Sequence, residues 1–153
     1  MFVVLHNIRS VFNVGSIFRT ADCLGVTGIF LSGYTPEPID RFGRLRKDFA
    51  KVALGAEVAV PWEKLKKFSV ALEFLRCKKV RVIAVEQSSN SQDYRKVKPG
   101  HSVAFVFGNE VSGISPAVLK KCDIIAEIPM AGVKESLNVS VAAGIALSRI
   151  LGC

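Results

Sequence analysis

The sequence has few of the residues and segments on which several protein classes depend. Among its 153 residues are only two histidines and four cysteines, and no two cysteines have the spacing of a metal-binding pair. We therefore expect free thiols, no disulfide framework and no metal site. No apolar run is long enough to span a bilayer, and Met1–Leu5 is too short for a secretion signal. The expected location is cytoplasmic, with no membrane partner.

Two nucleotide-binding signatures are also missing. Gly108 and Gly113 have the glycine spacing of a phosphate-binding loop, but Ile114 and Ser115 follow them, so the required Lys is absent. The sequence contains no Gly-x-Gly-x-x-Gly fingerprint either. A glycine-rich loop without a dedicated cation suits a ligand that carries no phosphate. S-adenosylmethionine, an adenosine joined to an amino acid through a cationic sulfonium, is such a ligand.

Positive charge, by contrast, is abundant and unevenly distributed. The net charge is +8, and residues 41–98 hold 15 of the 21 Lys and Arg but only 6 of the 13 Asp and Glu. A concentrated positive field attracts polyanions such as nucleic acids. A solvated face that keeps the protein soluble would give the same composition, so charge alone leaves both interpretations open.

Short apolar segments alternate with helical patterns along the whole chain. The predicted strands are Phe2–Leu5, Gly28–Leu31, Val58–Val60, Val80–Val85, Val103–Phe107 and Ile124–Ile128. The predicted helices are Val14–Leu24 with Asn13 as its N-cap, Arg44–Ala53, Lys64–Arg76, Ser115–Lys120 and Asn138–Leu151. Alternation of this kind predicts an α/β fold with a mainly parallel sheet and helices on both faces. We expect residues 1–153 to form a single domain.

The last predicted helix has almost no polar face. Its apolar residues include Val141, Ile145, Leu147 and Ile150, and Gly144 would permit close approach of another helix. A helix that is apolar all round must be buried. A small domain can hardly cover it fully, so we expect a second subunit to pack against it, with an intramolecular core helix as the alternative.

Three segments are polar where the fold itself does not require polarity. They are residues 7–21, residues 107–113 and residues 128–140, and the second and third each follow a predicted buried strand. In open α/β sheets the ligand site lies beyond the carboxyl ends of the strands. The two later segments therefore predict one shared pocket.

These segments resemble the three motifs of the SpoU (TrmH-like) branch of the SPOUT RNA methyltransferases. The resemblance covers the chain in order, through Phe-Gly-Asn-Glu-x-x-Gly from Phe107 and Ile-Pro-Met-x-Gly-x-x-x-Ser-Leu-Asn-Val-Ser-x-Ala from Ile128. It implies a sheet whose C-terminal part is tied in a deep trefoil knot, and a homodimer. It also implies methyl transfer from S-adenosylmethionine to a ribose 2′-hydroxyl of tRNA or rRNA. The first motif begins within ten residues of Met1, so no separate RNA-binding domain is expected before it.

The resemblance also assigns residues. Those implied for cofactor binding are Val85, Glu86, Gly108, Asn109, Gly113, Ile128, Met130, Ser136 and Leu137. Those implied for catalysis are Arg19, Asn13, Glu110 and Asn138. At helical spacing, Asn13, Gly15 or Ser16, and Arg19 are expected near one face of the first helix. Core packing, tight turns, helix caps and salt bridges are the structural alternatives for these residues.

Arg19 is the residue on which we expect catalysis to depend most. By resemblance it engages RNA at the target ribose, but a guanidinium is a poor general base. We expect it to hold the adjacent phosphate and to stabilise the developing alkoxide. Glu110 is expected to orient Arg19 or Asn13, or to accept from the substrate hydroxyl.

The basic stretch supplies candidates for RNA binding. The expected phosphate contacts are Arg9, Arg41, Arg44, Arg46 and Lys47. Tyr34 and Phe42 are candidates for stacking on bases, although a lone aromatic is more often packed inside the protein. A non-catalytic RNA-binding protein of the same fold is the alternative function.

Overall fold

Seven parallel strands form one sheet at the centre of the computed structural model, which describes residues 1–152. Cys153, one of the four expected thiols, lies outside the described residues. The strands are β1 (Phe2–His6), β2 (Gly28–Ser32), β3 (Trp62–Leu65), β4 (Arg81–Val85), β5 (Gln92–Asp93), β6 (Val103–Phe107) and β7 (Ile124–Glu127). Their order across the sheet is β3-β2-β1-β6-β4-β7-β5, and every neighbouring pair is parallel.

Helices cover both faces of this sheet. They are α1 (Val11–Cys23), α2 (Lys47–Ala53), α3 (Ala56–Ala59), α4 (Phe68–Cys77), α5 (Pro116–Leu119) and α6 (Val139–Leu151). Alternate residues of β1 point to opposite faces, as the pleat requires. Val3 and Leu5 pack into a core with residues of α1, α2, α3 and α6, whereas Val4 packs into a second core with α4. The predicted α/β architecture with helices on both faces is therefore confirmed.

The start of α1 differs from the prediction. Ser10 is the N-cap, because its Oγ accepts a hydrogen bond from the backbone N–H of Asn13 at 3.3 Å. Ser and Asn are both favoured caps, so composition alone could not choose between them. The assignment of Asn13 as the cap was wrong: Asn13 lies in the first turn of α1, where its amide is available for other contacts.

The region around Pro61 also differs from the prediction. Residues Val58–Val60 do not form a strand, because Ala56–Ala59 is a helical turn and the strand of this region is Trp62–Leu65. The helix predicted from Lys64 begins at Phe68, and the helix predicted from Arg44 begins at Lys47. Trp62 pairs with Ile29 at the sheet edge, a long-range contact that local periodicity cannot reveal.

The ends of four strands and the start of the last helix position the site. The carboxyl ends of β1, β6, β4 and β7 lie side by side, so the segments after them share one edge of the sheet. Helix α6 buries Ala143, Ala146 and Leu147 but leaves Val141 48% exposed.

The trefoil knot and the homodimer stay predictions. Within residues 1–152, no helix combines the length and apolarity needed to cross a membrane.

Candidate active site

A cavity of about 460 Å³ opens beyond the carboxyl ends of β4, β6 and β7. Its size falls within the range of about 300–1,000 Å³ that is usual for small-molecule sites. Every residue expected to bind the cofactor lines it: Val85, Glu86, Gly108, Asn109, Gly113, Ile128, Met130, Ser136 and Leu137. The expectation of one shared pocket therefore agrees with the geometry, while the contacts to a bound cofactor stay a prediction.

Two glycines let the loop after β6 fold tightly over the loop after β4. Gly113 has a φ of +64°, and a Cβ there would lie 2.5 Å from Oε2 of Glu86. A Cβ on Gly108 would lie 2.4 Å from Cγ1 of Ile114. No larger side chain fits at either position without movement of its neighbours, so these glycines shape the cavity.

Glu86 joins the same two loops through hydrogen bonds. Its Oε2 accepts from the backbone N–H of Ile114 at 2.8 Å, and its Oε1 accepts from the backbone N–H of Gln87 at 2.9 Å. Both carboxylate oxygens are thus used by the protein. Glu86 holds the wall of the cavity, whatever contact it makes with a ligand.

Asn109 is also used structurally. Only 8% of its surface is exposed, and its Oδ1 accepts from the backbone N–H groups of Val111 and Ser112. Its Nδ2 donates to the carbonyl of Asn7 at 3.0 Å and to the hydroxyl of Tyr34 at 2.9 Å. The amide therefore ties the loop after β6 to the segments that follow β1 and β2.

A chain of three polar side chains lies beside the cavity. The Nδ2 of Asn13 donates to Oε1 of Glu110 at 2.9 Å, and the Nδ2 of Asn138 donates to Oδ1 of Asn13 at 3.1 Å. Asn138 also caps α6, because its Oδ1 accepts from the backbone N–H of Ser140. Residues that are 125 positions apart are therefore brought into direct contact.

Glu110 is anchored more firmly than any other member of this cluster. Its two oxygens accept from the backbone N–H groups of Arg9 at 2.9 Å and Ser10 at 3.0 Å, in addition to the amide of Asn13. Partial burial alone would raise the pKa of Glu110, but these three hydrogen bonds together lower it below its usual value. The carboxylate is therefore ionised at neutral pH. Among the expected roles, orienting Asn13 agrees with this geometry.

Arg19 stands apart from the cluster. It follows Asn13 by six residues, about 9 Å along the axis of α1 and about a third of a turn around it. Its side chain is exposed and makes no ion pair within residues 1–152, and it does not line the cavity. On the same helix Gly15 is buried, with Val52 as its nearest neighbour, and Ser16 is half-buried. Within one chain, Arg19 therefore faces solvent.

The residues expected to bind RNA divide into two groups. Arg44 pairs with Asp40 at 3.1 Å and Arg46 pairs with Asp48 at 2.7 Å, so these two guanidinium groups already have carboxylate partners. Arg9, Arg41 and Lys47 are exposed and form no ion pair in the described part of the chain. The second group is free to meet phosphates.

Sequence reasoning gave no role to two residues that hold the site together. Asn7 has a φ of +59°, which places its Oδ1 3.3 Å from the backbone N–H of Tyr34 as an acceptor. Ser10 caps α1 and presents its own N–H to Glu110. The motif that begins at Asn7 could have indicated this role, because Asn adopts the left-handed region of backbone conformation more readily than most residues. Within residues 1–152, no group of three or more His, Cys, Asp or Glu side chains is placed to hold a metal ion.

Comparisons with known proteins agree with this arrangement. The sequence model of the SpoU rRNA methylase family matches residues 1–148. The chain is 34% identical over 149 residues to 23S rRNA (guanosine-2′-O-)-methyltransferase RlmB of Neisseria meningitidis, a match that covers 97% of this chain and 57% of the relative. The chain thus spans little more than half the length of the curated relatives it matches.

Two solved structures have the same fold. One is an AdoMet-bound rRNA methyltransferase from Sinorhizobium meliloti, with a TM-score of 0.83 at 30% identity over 97% of this chain and 54% of that chain. The other is a TrmH/SpoU tRNA modifying enzyme from A. aeolicus, with a TM-score of 0.83 at 28% identity over 97% of this chain and 72% of that chain.

Proposed function

This chain belongs to the SpoU rRNA methylase family, and we propose that it transfers a methyl group from S-adenosylmethionine to a ribose 2′-hydroxyl of tRNA or rRNA. The observation that carries the proposal is the meeting of the three motif segments at one sheet edge. The cavity and the Asn13–Glu110–Asn138 cluster lie next to each other there. Relatives named for 23S rRNA and tRNA support RNA as the substrate.

The cavity fits the proposed cofactor. Gly108 and Gly113 let its wall pack tightly, and Ile128, Met130 and Leu137 supply apolar surface for an adenine ring. None of the residues that line it is Lys or Arg, which suits a ligand with no phosphate. The wall is held in place by Glu86 before any ligand enters.

The residues beside the cavity position the reacting groups. When bound, S-adenosylmethionine would supply a methyl group on a cationic sulfur. The ribose oxygen would take that methyl as the carbon–sulfur bond breaks and the neutral thioether leaves, and the hydroxyl proton would pass to an RNA phosphate or to water. Glu110 is a positioning residue, because its carboxylate is ionised and engaged by three donors. Asn13 and Asn138, fixed through Glu110, hold the substrate edge of the site. Accurate placement of the oxygen against the methyl group provides much of the rate.

Arg19 binds RNA at the reacting ribose in this proposal. Its guanidinium holds a neighbouring phosphate through two parallel hydrogen bonds and stabilises negative charge on the ribose oxygen. Arg9, Arg41 and Lys47 add phosphate contacts, while Arg44 and Arg46 hold their own loop through Asp40 and Asp48. Activity on tRNA or rRNA also favours a cytoplasmic location.

A homodimer is part of the proposal. Phe12 is 61% exposed on α1 and Val141 is 48% exposed on α6, and a Cβ on Gly144 would meet nothing within 4 Å. These positions on α1 and α6 are uncovered apolar surface that a second copy of the chain can bury. Pairing along α6 also accounts for Arg19, which faces solvent in one copy and would lie at the boundary between two.

The decisive experiment measures transfer from radiolabelled S-adenosylmethionine to total tRNA and rRNA from cells that lack this protein. Label that appears with the wild type, disappears with Arg19→Ala and maps to a 2′-O-methyl ribose is the expected result. Absence of both label and cofactor binding by calorimetry would contradict the proposal and favour a non-catalytic RNA-binding protein. Binding of cofactor without label would show that these RNA pools lack the substrate in its reactive form.

A further inference from the structure

A second cavity of about 500 Å³ lies in the loop that connects β2 to α2. It is formed by residues 34–37 and 39–42, together with Arg46 and Lys64. The loop is closed on itself by a bridge between Ile39 and Leu45 and by hydrogen bonds from Phe42 and Arg44 to Asp40. It is therefore an ordered structure with a defined concave surface, not a loose connection.

Tyr34 is held between this cavity and the first one. Its backbone N–H donates to Oδ1 of Asn7 at 3.3 Å, and its hydroxyl accepts from Nδ2 of Asn109 at 2.9 Å. Despite these two anchors, 59% of its surface is exposed. An aromatic ring that is both fixed and exposed loses little entropy when a flat partner stacks on it.

The other aromatic residue of the loop is already engaged. The guanidinium carbons of Arg41 and Arg44 lie 4.7 Å and 5.0 Å from the centre of the Phe42 ring, within the range of cation–π contacts. Within residues 1–152, the ring of Tyr34 has no cation–π contact. Of the two aromatic rings in the cavity wall, the ring of Tyr34 is therefore the one available to a base.

The cations that line the second cavity also differ in whether they already have a partner. Arg46 is paired with Asp48, and the ammonium group of Lys64 donates to the backbone carbonyl of Thr35. Burial lowers the pKa of Lys64 as well, although the charge of Glu37 opposes this. Arg41 is exposed and has no carboxylate partner within residues 1–152. It is the cation that a phosphate can reach without breaking an ion pair.

We propose that this second cavity binds one unstacked nucleotide of the substrate RNA, with its base on the ring of Tyr34 and its phosphate against Arg41. The inference rests on the proposed function and adds a binding site beyond the reacting ribose. A flat apolar face together with a cation that has no carboxylate partner is the combination that proteins use for single-stranded bases. The hydrogen bond from Asn109 to Tyr34 connects this nucleotide to the loop that lines the first cavity, so binding here helps to orient the RNA at the site of transfer.

The first test compares three variants in their binding of a short single-stranded RNA of mixed sequence and of unfractionated tRNA. Tyr34→Leu is expected to raise the RNA Kd by roughly 5- to 100-fold, the usual effect of losing one stacked base. Tyr34→Phe retains the stacking face and should keep the RNA Kd within about threefold of the wild type. Leu45→Ala is the control in the same loop, because Leu45 is exposed and does not line the second cavity, and its effect should be clearly smaller than that of Tyr34→Leu.

Equal RNA affinity of Tyr34→Leu and the wild type would overturn the inference. Equal losses for Tyr34→Leu and Leu45→Ala would also overturn it, because they would indicate a general loosening of the loop. Both Tyr34→Phe and Tyr34→Leu lose the hydrogen bond to Asn109 on the cofactor-lining loop. The two variants should therefore share one cofactor Kd by calorimetry, so that the difference in RNA affinity between them reports the stacking face alone.

Transfer assays separate this inference from the proposed function. If the wild type methylates RNA, Tyr34→Leu should raise the KM for RNA more than it lowers kcat, and an unchanged KM would refute the inference alone. If the wild type binds RNA but neither binds the cofactor nor transfers a methyl group, the proposed function fails while the binding comparison still decides the role of Tyr34. A wild type that binds neither RNA probe would overturn both.

Discussion

At the scale of single residues, Glu110 shows why a carboxylate in an active site need not be a proton acceptor. Its oxygens accept from two backbone N–H groups and from the amide of Asn13, and these bonds outweigh the effect of burial and lower its pKa. A proton on Glu110 would have to displace one of these donors. The energetic role of the side chain is therefore to fix the start of α1 against the loop after β6.

This role predicts a particular pH dependence. Because the pKa of Glu110 is lower in the folded protein, its contribution to stability is present above its ordinary pKa and is lost as the pH falls through the lowered value. Between about pH 6 and 9 the group stays ionised. Glu110→Gln should lower kcat by about 5-fold to 150-fold, which corresponds to the 1–3 kcal/mol of a lost buried hydrogen bond, without altering the shape of the pH–rate profile in that range. Loss of the ascending limb in Glu110→Gln would instead identify Glu110 as the base.

Arg19 provides a second prediction at this scale. A guanidinium can hold a phosphate through a planar pair of hydrogen bonds, whereas an ammonium acts as a point charge. Arg19→Lys should therefore lose most of its transfer activity, on the order of 10-fold to 100-fold in kcat/KM, although the charge is retained. Because Arg19 is exposed and has no ion pair within residues 1–152, the melting temperature should change little. Full activity in Arg19→Lys would exclude the bidentate role.

At the scale of elements, the loops that wall the cavity depend on glycine at particular positions. Gly113→Ala would place a methyl group 2.5 Å from the Glu86 carboxylate at a φ of +64°. The positive φ alone should lower the free energy of unfolding by about 1–2 kcal/mol, and movement of Glu86 should weaken cofactor binding. Gly132→Ala is the matched control, because its Cβ would meet nothing within 4 Å and its φ is not positive. Calorimetry and thermal unfolding would check both variants, and equal cofactor affinity in the two would contradict this account of the wall.

The sequence predicts some elements much better than others, for a physical reason. Strands β4 and β6 lie inside the sheet, and their continuous apolar runs identify them from local sequence. Strand β3 lies at the edge, where only Leu65 is buried, so its local sequence gives no strand pattern, and its last two residues were predicted as the start of the following helix. Strand β5 has two residues and depends entirely on pairing with β7. Where long-range pairing decides the structure, local patterns fail.

Prediction of the site residues likewise succeeds where the information is local and fails where it is long-range. Asn138 was identified both as a site residue and as the start of the last helix, and it is the N-cap of α6. The polar segments after β6 and β7 could be assigned to one sheet edge from topology alone. The anchoring of Glu110 by the N–H groups of Arg9 and Ser10 could not be predicted, because nothing in the local sequence indicates which carboxylate will face the start of α1.

At the scale of the whole molecule, the site joins segments that are far apart in the sequence. Asn13 follows β1, Glu110 follows β6 and Asn138 follows β7, and the sheet order brings these ends together. The cavity is thus complete within one chain, whereas Arg19 and the exposed side of α6 are not covered. A second copy would cover these exposed surfaces but is not needed to form the cavity.

This separation makes the proposed dimer testable without damage to the cavity. Gly144 lies in α6 with open space beyond its Cα, so a single chain tolerates a side chain there, and replacing a helical glycine can add about 1 kcal/mol to the free energy of unfolding. Gly144→Arg should therefore give folded monomers by light scattering, with cofactor binding retained and methyl transfer strongly reduced. Val70→Arg adds the same side chain at an exposed position of α4, on the opposite face of the sheet, and should leave the assembly dimeric. A wild type that is monomeric at micromolar concentration, or a dimer that survives Gly144→Arg with full activity, would show that α6 is not the interface and that Arg19 must act within its own chain.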